Sequence, residues 1–289
     1  MSKEYFTDRE KGVKVSDTEE IGLNVFNAII GVYVQFQNQL AYNFSEKDDY
    51  NNIVRCNTDR FRERMLGDIP DFTLNKYGWI SALEEGTEFD KYALLDFIEF
   101  CWENIKDYER GRYGLVFYND EGKEKSIFQN EVNKIFERNR IVFRLNNNGE
   151  IERMLPVQLD VLVKSYSHTG NDKELNKLID EAIKYIIKPK FEDRQIAIEK
   201  LWDAYERIKT YYGNNKGQSA KNLIKIASEG SEEFELLLNE EMVNSLTKIG
   251  NDFRIRHHEK NKIKINSVKH IDYLFYRMMS LISLLVNYL

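Results

Sequence analysis

The sequence has little cysteine and little proline: two cysteines, Cys56 and Cys101, and three prolines among 289 residues. Two thiols can form neither a disulfide framework nor a four-thiolate zinc site. We therefore expect a protein of a reducing compartment, the cytoplasm. Because proline interrupts helices, its scarcity, together with 31% charged residues, favours a mainly α fold.

Long apolar runs and nucleotide-binding or metal-binding motifs are also lacking. No stretch reaches the ~18 apolar residues that a membrane span requires, and the opening residues MSKEYFTDREKG do not resemble a signal peptide. The patterns HExxH, CxxC, GxxxxGK[ST] and GxGxxG do not occur. We expect no membrane partner, no metal site and no cofactor.

Hydrophobic residues recur at steps of three and four along much of the chain, which predicts amphipathic helices with one buried face. Ser16 and Glu19 have the spacing of a capping box, so the first long helix is expected to begin there. Gly250 is expected to end a helix as its C-terminal cap, and the polar residues 43–58 are expected to form a loop. Helices are predicted over residues 16–40, 89–108, 128–136, 175–186, 197–208, 223–227, 231–249 and 268–285.

One segment has the pattern of strands. Around the turn residues Asn146 to Gly149, the sequences RIVFRL and EIERML predict a β-hairpin over residues 140–154, because Asn148 and Gly149 can supply positive φ angles. Pro156 is expected to mark a domain boundary. The prediction is an N-terminal mainly helical domain, 1–155, that ends in this hairpin, and a C-terminal helical bundle, 156–289.

Charge is distributed unevenly between these two predicted domains. Residues 1–155 carry 21 basic and 29 acidic side chains, whereas residues 156–289 carry 21 and 19. From Lys248 to Lys269 there are seven lysines or arginines against two acidic residues, a local balance of +5. Such a strip suits a phosphate-bearing partner such as RNA.

The stretch Ile249 to Glu259, IGNDFRIRHHE, combines guanidinium and imidazole groups. Arginine binds phosphate, and histidine moves protons near neutral pH. We expect acid–base chemistry on a phosphodiester, in which one histidine takes or gives a proton and the arginines stabilise the phosphorane. The candidate catalytic residues are Arg254, Arg256, His257 and His258; the candidate RNA-binding residues are Lys248, Lys260, Lys262 and Lys264; and the candidate supporting residues are Asn251, Glu199 and Glu206. In the structural alternative, Arg254 or Arg256 forms a buried pair with Glu199 or Glu206 and fixes the loop.

Four segments carry a resemblance to a known family: FTDRE near the start, the IVFRLNNNGEIERM hairpin, AIEKLWDAYERIK and FRIRHHE, in that order. The sequence resembles the abortive-infection proteins of the AbiJ type, which end in a helical HEPN domain. The resemblance implies phage defence by a metal-independent ribonuclease, usually a homodimer whose two loops face one RNA site.

The HEPN motif pairs an arginine with a following polar residue and with a histidine further on. Arg256 and His257 match the arginine and polar pair, but the second histidine, His258, is displaced from the motif's spacing. A second hypothesis therefore stays open, namely a noncatalytic, dimerising interaction or sensor module with a degenerate HEPN site. The last helix also carries Tyr273, Tyr276 and Met279 off its main apolar stripe, where a dimer contact is expected.

Overall fold

The computed structural model describes residues 6–12, 16–110, 116–253, 255 and 262–289. The chain divides into two compact units, Met1–Arg153 and Met154–Leu289, and each unit has its own hydrophobic core. The predicted mainly α fold is confirmed, and the strands form short two-stranded sheets. Within the described part of the chain, no helix combines the length and the apolar character needed to cross a membrane.

The described residues of the first unit form helices and three antiparallel strand pairs, β1–β2, β3–β4 and β5–β6. Its elements are α1 (Phe6–Lys11), α2 (Leu23–Gln35), α3 (Gln37–Leu40), β1 (Ser45–Lys47), β2 (Ile53–Cys56), α4 (Thr58–Asp68), α5 (Lys91–Asn104), β3 (Asp107–Arg110), β4 (Val116–Asn119), α6 (Lys123–Arg138), β5 (Phe143–Leu145) and β6 (Ile151–Arg153).

The second unit is helical. Its elements are α7 (Val157–Ser165), α8 (Lys173–Ile186), α9 (Phe191–Ile208), α10 (Lys216–Ala227), α11 (Glu232–Asn239), a π-helix (Glu240–Leu246), α12 (Thr247–Asp252), α13 (Val268–Leu285) and a final 3₁₀ turn (Val286–Tyr288).

The first long helix begins later than the capping-box spacing predicted. Gly22 is its N-cap, and a break at Phe36 separates α2 from α3. The residues before it are extended, because Asp17 and Thr18 donate their backbone N–H groups to the Arg140 carbonyl at 2.9 and 3.1 Å. Tertiary pairing therefore overrides the local capping signal. The predicted burial of the stripe from Ile21 to Leu40 is nevertheless confirmed.

The hairpin β1–β2 and the beginning of β3 occupy residues that were predicted otherwise. Residues 43–58, predicted as a loop, contain β1 and β2, and the carboxylate of Asp48 builds their turn by accepting the N–H groups of Tyr50 and Asn52. The helix predicted over 89–108 ends at Asn104, and Asp107 already belongs to β3. The Asp107 carboxylate accepts the N–H groups of Gly122 and Glu124 at 2.6 Å each, at the start of α6.

The predicted hairpin near residue 150 is confirmed as β5 and β6. Gly149 has a φ of +83°, whereas Asn148 does not adopt the predicted positive φ. Instead the Asn146 side chain accepts the N–H groups of Asn148 and Glu150 at 2.9 and 3.0 Å. Gly149 also lies against the ring of Trp102, where a Cβ would be 2.6 Å from Cδ2. This turn needs glycine for its backbone conformation and for space.

The helix predicted over 231–249 begins as expected, since Ser231 accepts the Phe234 N–H at 3.2 Å. It then changes to a π-helix and continues through Gly250 to Asp252. Gly250 is therefore not the predicted C-terminal cap. It lies inside α12 and is buried.

Candidate functional site

The predicted cationic stretch begins within α12 and continues beyond its end in the sequence of the second unit. Ile263 donates its backbone N–H to the Asp252 carbonyl at 2.9 Å, and Phe253 and Ile263 form a parallel bridge. Ile255 is completely buried. The two ends of residues 254–262, called the cationic loop below, are therefore held together at its base.

The described lysines of the strip differ in their surroundings. Lys248 and Lys264 are exposed. The half-buried Lys262 donates from Nζ to the Asn251 carbonyl at 2.5 Å. An ammonium group at a helix C-terminus satisfies a carbonyl there and is favoured by the helix dipole. Lys262 and the backbone of Asn251 thus help to close the loop. The remaining predicted site residues lie outside the described residues: Arg254, Arg256, His257, His258 and Lys260.

The two predicted glutamate partners lie half-buried on α9. Both carboxylate oxygens of Glu206 are held by lysines: Oε1 accepts from Lys209 at 2.9 Å, and Oε2 accepts from Lys216. Burial raises the pKa of Glu206, but the two lysine hydrogen bonds outweigh that effect, and the pKa is lowered. Glu206 therefore stabilises the junction of α9 and α10. The arginines of the alternative pairing, Arg254 and Arg256, are outside the described residues.

A buried lysine links α9 to the helix that precedes the cationic loop. Lys209 is 5% exposed, and its Nζ donates to Thr247 Oγ1 at 3.0 Å as well as to Glu206. The same Nζ lies 4.6 Å from the ring centroid of Tyr205. Burial lowers the pKa of Lys209, while the hydrogen bond to Glu206 opposes that shift. The ammonium group is thus buried and satisfied by two hydrogen bonds.

The π-helix carries an unusual carbonyl acceptor. The Met242 carbonyl accepts the hydroxyl of Thr247 at 3.0 Å and the hydroxyl of Tyr205, a fully buried side chain of α9. On its other side the π-helix is tied to α13, because Arg277 donates from Nε and Nη2 to the two carboxylate oxygens of Glu241 at 2.7 Å each. Short π-helical segments inside α-helices are frequent at functional sites.

Gly250 explains how closely α12 approaches α9. A Cβ built on Gly250 would lie 2.5 Å from Cζ3 of Trp202 and closer to two further ring carbons. Trp202 itself is 6% exposed and packs at 5.1 Å, centroid to centroid, against Tyr205. Only glycine therefore permits this contact.

Sequence reasoning missed the contribution of Tyr205, Lys209 and Gly250. The apolar stripe of α9 placed Tyr205 in the core but gave no partner for its hydroxyl. A lysine at the end of a helix normally extends into solvent, so the residue type gave no indication that Lys209 is buried. The spacing of Trp202, Tyr205 and Lys209 at i, i+3 and i+7 was the one available indication that all three lie on one helix face.

The first unit contains a separate acidic groove of about 490 Å³ between α5 and the β5–β6 turn. Its lining includes the carboxylates of Asp68, Asp96, Glu99 and Glu103 beside the Trp102 ring. Burial raises the pKa of Glu99, although its carboxylate accepts the Ile151 N–H. Within the described part of the chain, no three His, Cys, Asp or Glu side chains are arranged to hold a metal ion.

Comparison with known families gives a match over much of the chain. The family described as AbiJ N-terminal domain 4 matches residues 4–169. The chain belongs to the AbiJ family. No curated protein and no solved structure matches it. Membership in the AbiJ family indicates a role in abortive infection, a form of phage defence.

The AbiJ match extends beyond the first structural unit. It includes α7 and ends at Thr169, whereas the first unit ends at Arg153. The cationic loop lies outside the matched residues. The HEPN-like nature of the C-terminal bundle, predicted from the sequence, therefore stays a prediction.

Proposed function

We propose that this AbiJ-family protein binds RNA through the cationic loop of a HEPN-like bundle and cleaves it by metal-independent acid–base chemistry. The observation that supports the proposal is the closed base of the loop. The Asp252–Ile263 hydrogen bond, the buried Ile255 and the Lys262 contact restrict the ends of a segment rich in arginine and histidine. A loop restrained in this way loses less conformational entropy on binding.

The charge beside the loop supports an anionic partner. Lys248 precedes the loop and Lys264 follows it, and both side chains are exposed. Exposed lysines near phosphates release counterions from a nucleic acid, which gives affinity that falls with salt. Arg254 and Arg256 would hold the phosphate.

The chemistry requires a proton donor and a proton acceptor near neutral pH. In the proposed mechanism, one of His257 and His258 takes the proton of a ribose 2′-hydroxyl as that oxygen attacks the phosphorus, and the other gives a proton to the leaving 5′-oxygen. Arg254 and Arg256 stabilise the additional negative charge on the phosphorane.

The test incubates the purified full chain with end-labelled single-stranded RNA in EDTA. We expect cleavage by the wild type and at least about a hundredfold slower cleavage by a His257→Ala/His258→Ala variant, the usual contribution of general acid–base groups. An Arg254→Ala/Arg256→Ala variant should bind RNA more weakly and show a salt slope that is shallower by about 1.4, or about 0.7 per lost phosphate contact.

The matched control is Lys221→Ala/Lys225→Ala, which removes two exposed charges of α10 in the same unit. This control should cleave and bind like the wild type. If the histidine variant yields the same products at the same rate, the catalytic proposal is wrong. If the arginine variant and the control weaken binding equally, the loop is not the RNA-binding site.

A second candidate function is a noncatalytic module that dimerises, and one surface favours it. Tyr273 and Tyr276 are 59% and 40% exposed on α13, whereas Met279, also expected at a dimer contact, is fully buried within its own unit. A Tyr273→Arg/Tyr276→Arg variant should then convert a dimer to a monomer in light scattering, with Lys221→Ala/Lys225→Ala as control. A monomeric wild type would exclude this function.

A further inference from the structure

We propose that Tyr205 and Lys209 are positioning residues for the cationic loop, and that they act through the π-helix and α12. This inference rests on the proposed function of the loop, but its structural part can be measured without RNA.

Two side chains of α9 and that of its C-terminal cap residue lie on one helix face and contact three successive sites on the helical segment that precedes the loop. The Tyr205 hydroxyl binds the Met242 carbonyl, the Lys209 ammonium group binds Thr247, and the Trp202 ring lies against Gly250. These contacts extend over two turns of the helix. They therefore fix both its position along its axis and its rotation about that axis.

Rotation matters because the π-helix accommodates more residues per turn than an α-helix does. If the segment changed to α-helical hydrogen bonding by a slip of one residue, the following residues would turn by about 100°. Gly250 would then no longer lie against the Trp202 ring. The Asp252 carbonyl and Phe253, which close the base of the loop, would turn with it.

The chemical nature of the network indicates specificity rather than stability. A buried ion pair can often be replaced by apolar side chains at little or no cost in stability, whereas a fully satisfied buried polar network favours one arrangement over others. Here the Glu206–Lys209–Thr247–Met242 chain of hydrogen bonds joins α9 to the π-helix. In this network the Thr247 hydroxyl donates to the carbonyl five residues before it, which is the spacing of π-helical hydrogen bonding.

The experiment compares four variants of the full chain. Tyr205→Phe and Thr247→Val each remove a hydroxyl with little change of shape, and Thr247→Ser restores the hydroxyl. Tyr212→Phe is the matched control, because the Tyr212 hydroxyl also donates to a backbone carbonyl, that of Tyr288, away from the π-helix. Amide hydrogen exchange follows the peptides that contain residues 240–253 and 262–267. RNA affinity is measured at a temperature where every variant is folded by circular dichroism.

We expect faster exchange in both peptides and about three- to tenfold weaker RNA binding for Tyr205→Phe and Thr247→Val, the range expected from one lost hydrogen bond. Thr247→Ser and Tyr212→Phe should behave like the wild type. Should Tyr205→Phe not fold, the Thr247 pair decides the result alone.

The outcomes separate the two proposals. Unchanged exchange at residues 262–267 in the folded variants would overturn the positioning inference. Faster exchange with unchanged RNA affinity would also overturn it, because the network would then only stabilise the bundle. If the wild type binds no RNA while exchange responds as expected, the proposed function is wrong and the control of the loop base by α9 is supported.

Discussion

Replacing Gly250 with alanine tests how closely α12 must approach α9. In an ordinary helix this change stabilises by up to about 1 kcal/mol, because alanine has the higher helix propensity. Here the new methyl group would lie 2.5 Å or less from three ring carbons of Trp202, whereas ordinary contact begins at 3.4 Å. The ring and the helix must therefore separate by more than 0.9 Å, the difference between those two distances, because two of the three ring carbons lie closer than 2.5 Å.

Separation of that size in a packed core costs about 1 to 3 kcal/mol or more. We take the upper part of the range, because the neighbouring atoms belong to a buried ring, and subtract the gain in propensity. The expected net loss is about 2 kcal/mol, which should lower the melting temperature of the second unit by roughly 6 to 10 °C. Scanning calorimetry of the full chain measures this shift.

The control for Gly250→Ala is Gly217→Ala in α10, where the nearest atom to a new Cβ is 3.7 Å away. It should be neutral or slightly stabilising. A double variant with Trp202→Phe should recover part of the loss, because the shorter ring leaves room for the methyl group, and contacting residues show coupling of about 0.5 to 3 kcal/mol. A fully stable Gly250→Ala protein, or equal loss with and without Trp202, would refute the close-packing argument.

Three further changes have expected outcomes. Gly149→Ala should destabilise the first unit by about 2 to 4 kcal/mol in urea unfolding, since its methyl group meets Trp102 and its φ is +83°. Ser231→Ala should cost about 1 kcal/mol in the same assay, because it removes the N-cap of α11. Glu206 has a folded pKa below its ordinary 4.5, so the stability it contributes is complete above pH 4.5 and is lost as the pH falls through the folded pKa. Glu206→Gln should accordingly be less stable than the wild type at pH 7 and lose less stability between pH 5 and pH 3 in thermal melts.

The sequence predicted those parts of the fold that depend on local patterns. The buried stripe from Ile21 to Leu40 and the hairpin around Gly149 could both be predicted, because hydrophobic periodicity and turn chemistry are properties of neighbouring residues. The hairpins β1–β2 and β3–β4 could not be predicted in this way. Residues 43–58 have the polar composition of a loop, and the role of Asp107 depends on Gly122, fifteen residues away.

The charge of the candidate site could be predicted from the sequence, but the contacts that hold the base of the loop could not. Lysines and arginines can be counted from Lys248 to Lys269, and that count predicted the cationic strip. The change from α-helical to π-helical hydrogen bonding at Glu240 has no signature in hydrophobic spacing. Gly250 was taken as a helix end because glycine commonly ends helices, whereas its partner Trp202 lies forty-eight residues earlier in the chain.

The family match and the cationic loop concern different parts of this protein. The match covers residues 4–169 and indicates abortive infection, whereas the loop and the network that holds it lie between α9 and α13. The biological role thus follows from one segment, and the proposed chemistry follows from another. Because α7 belongs to the matched segment and also packs against α13, residues of the matched segment contribute to the bundle that carries the loop. This contact within the second unit places part of the matched segment in the same helical bundle as the loop.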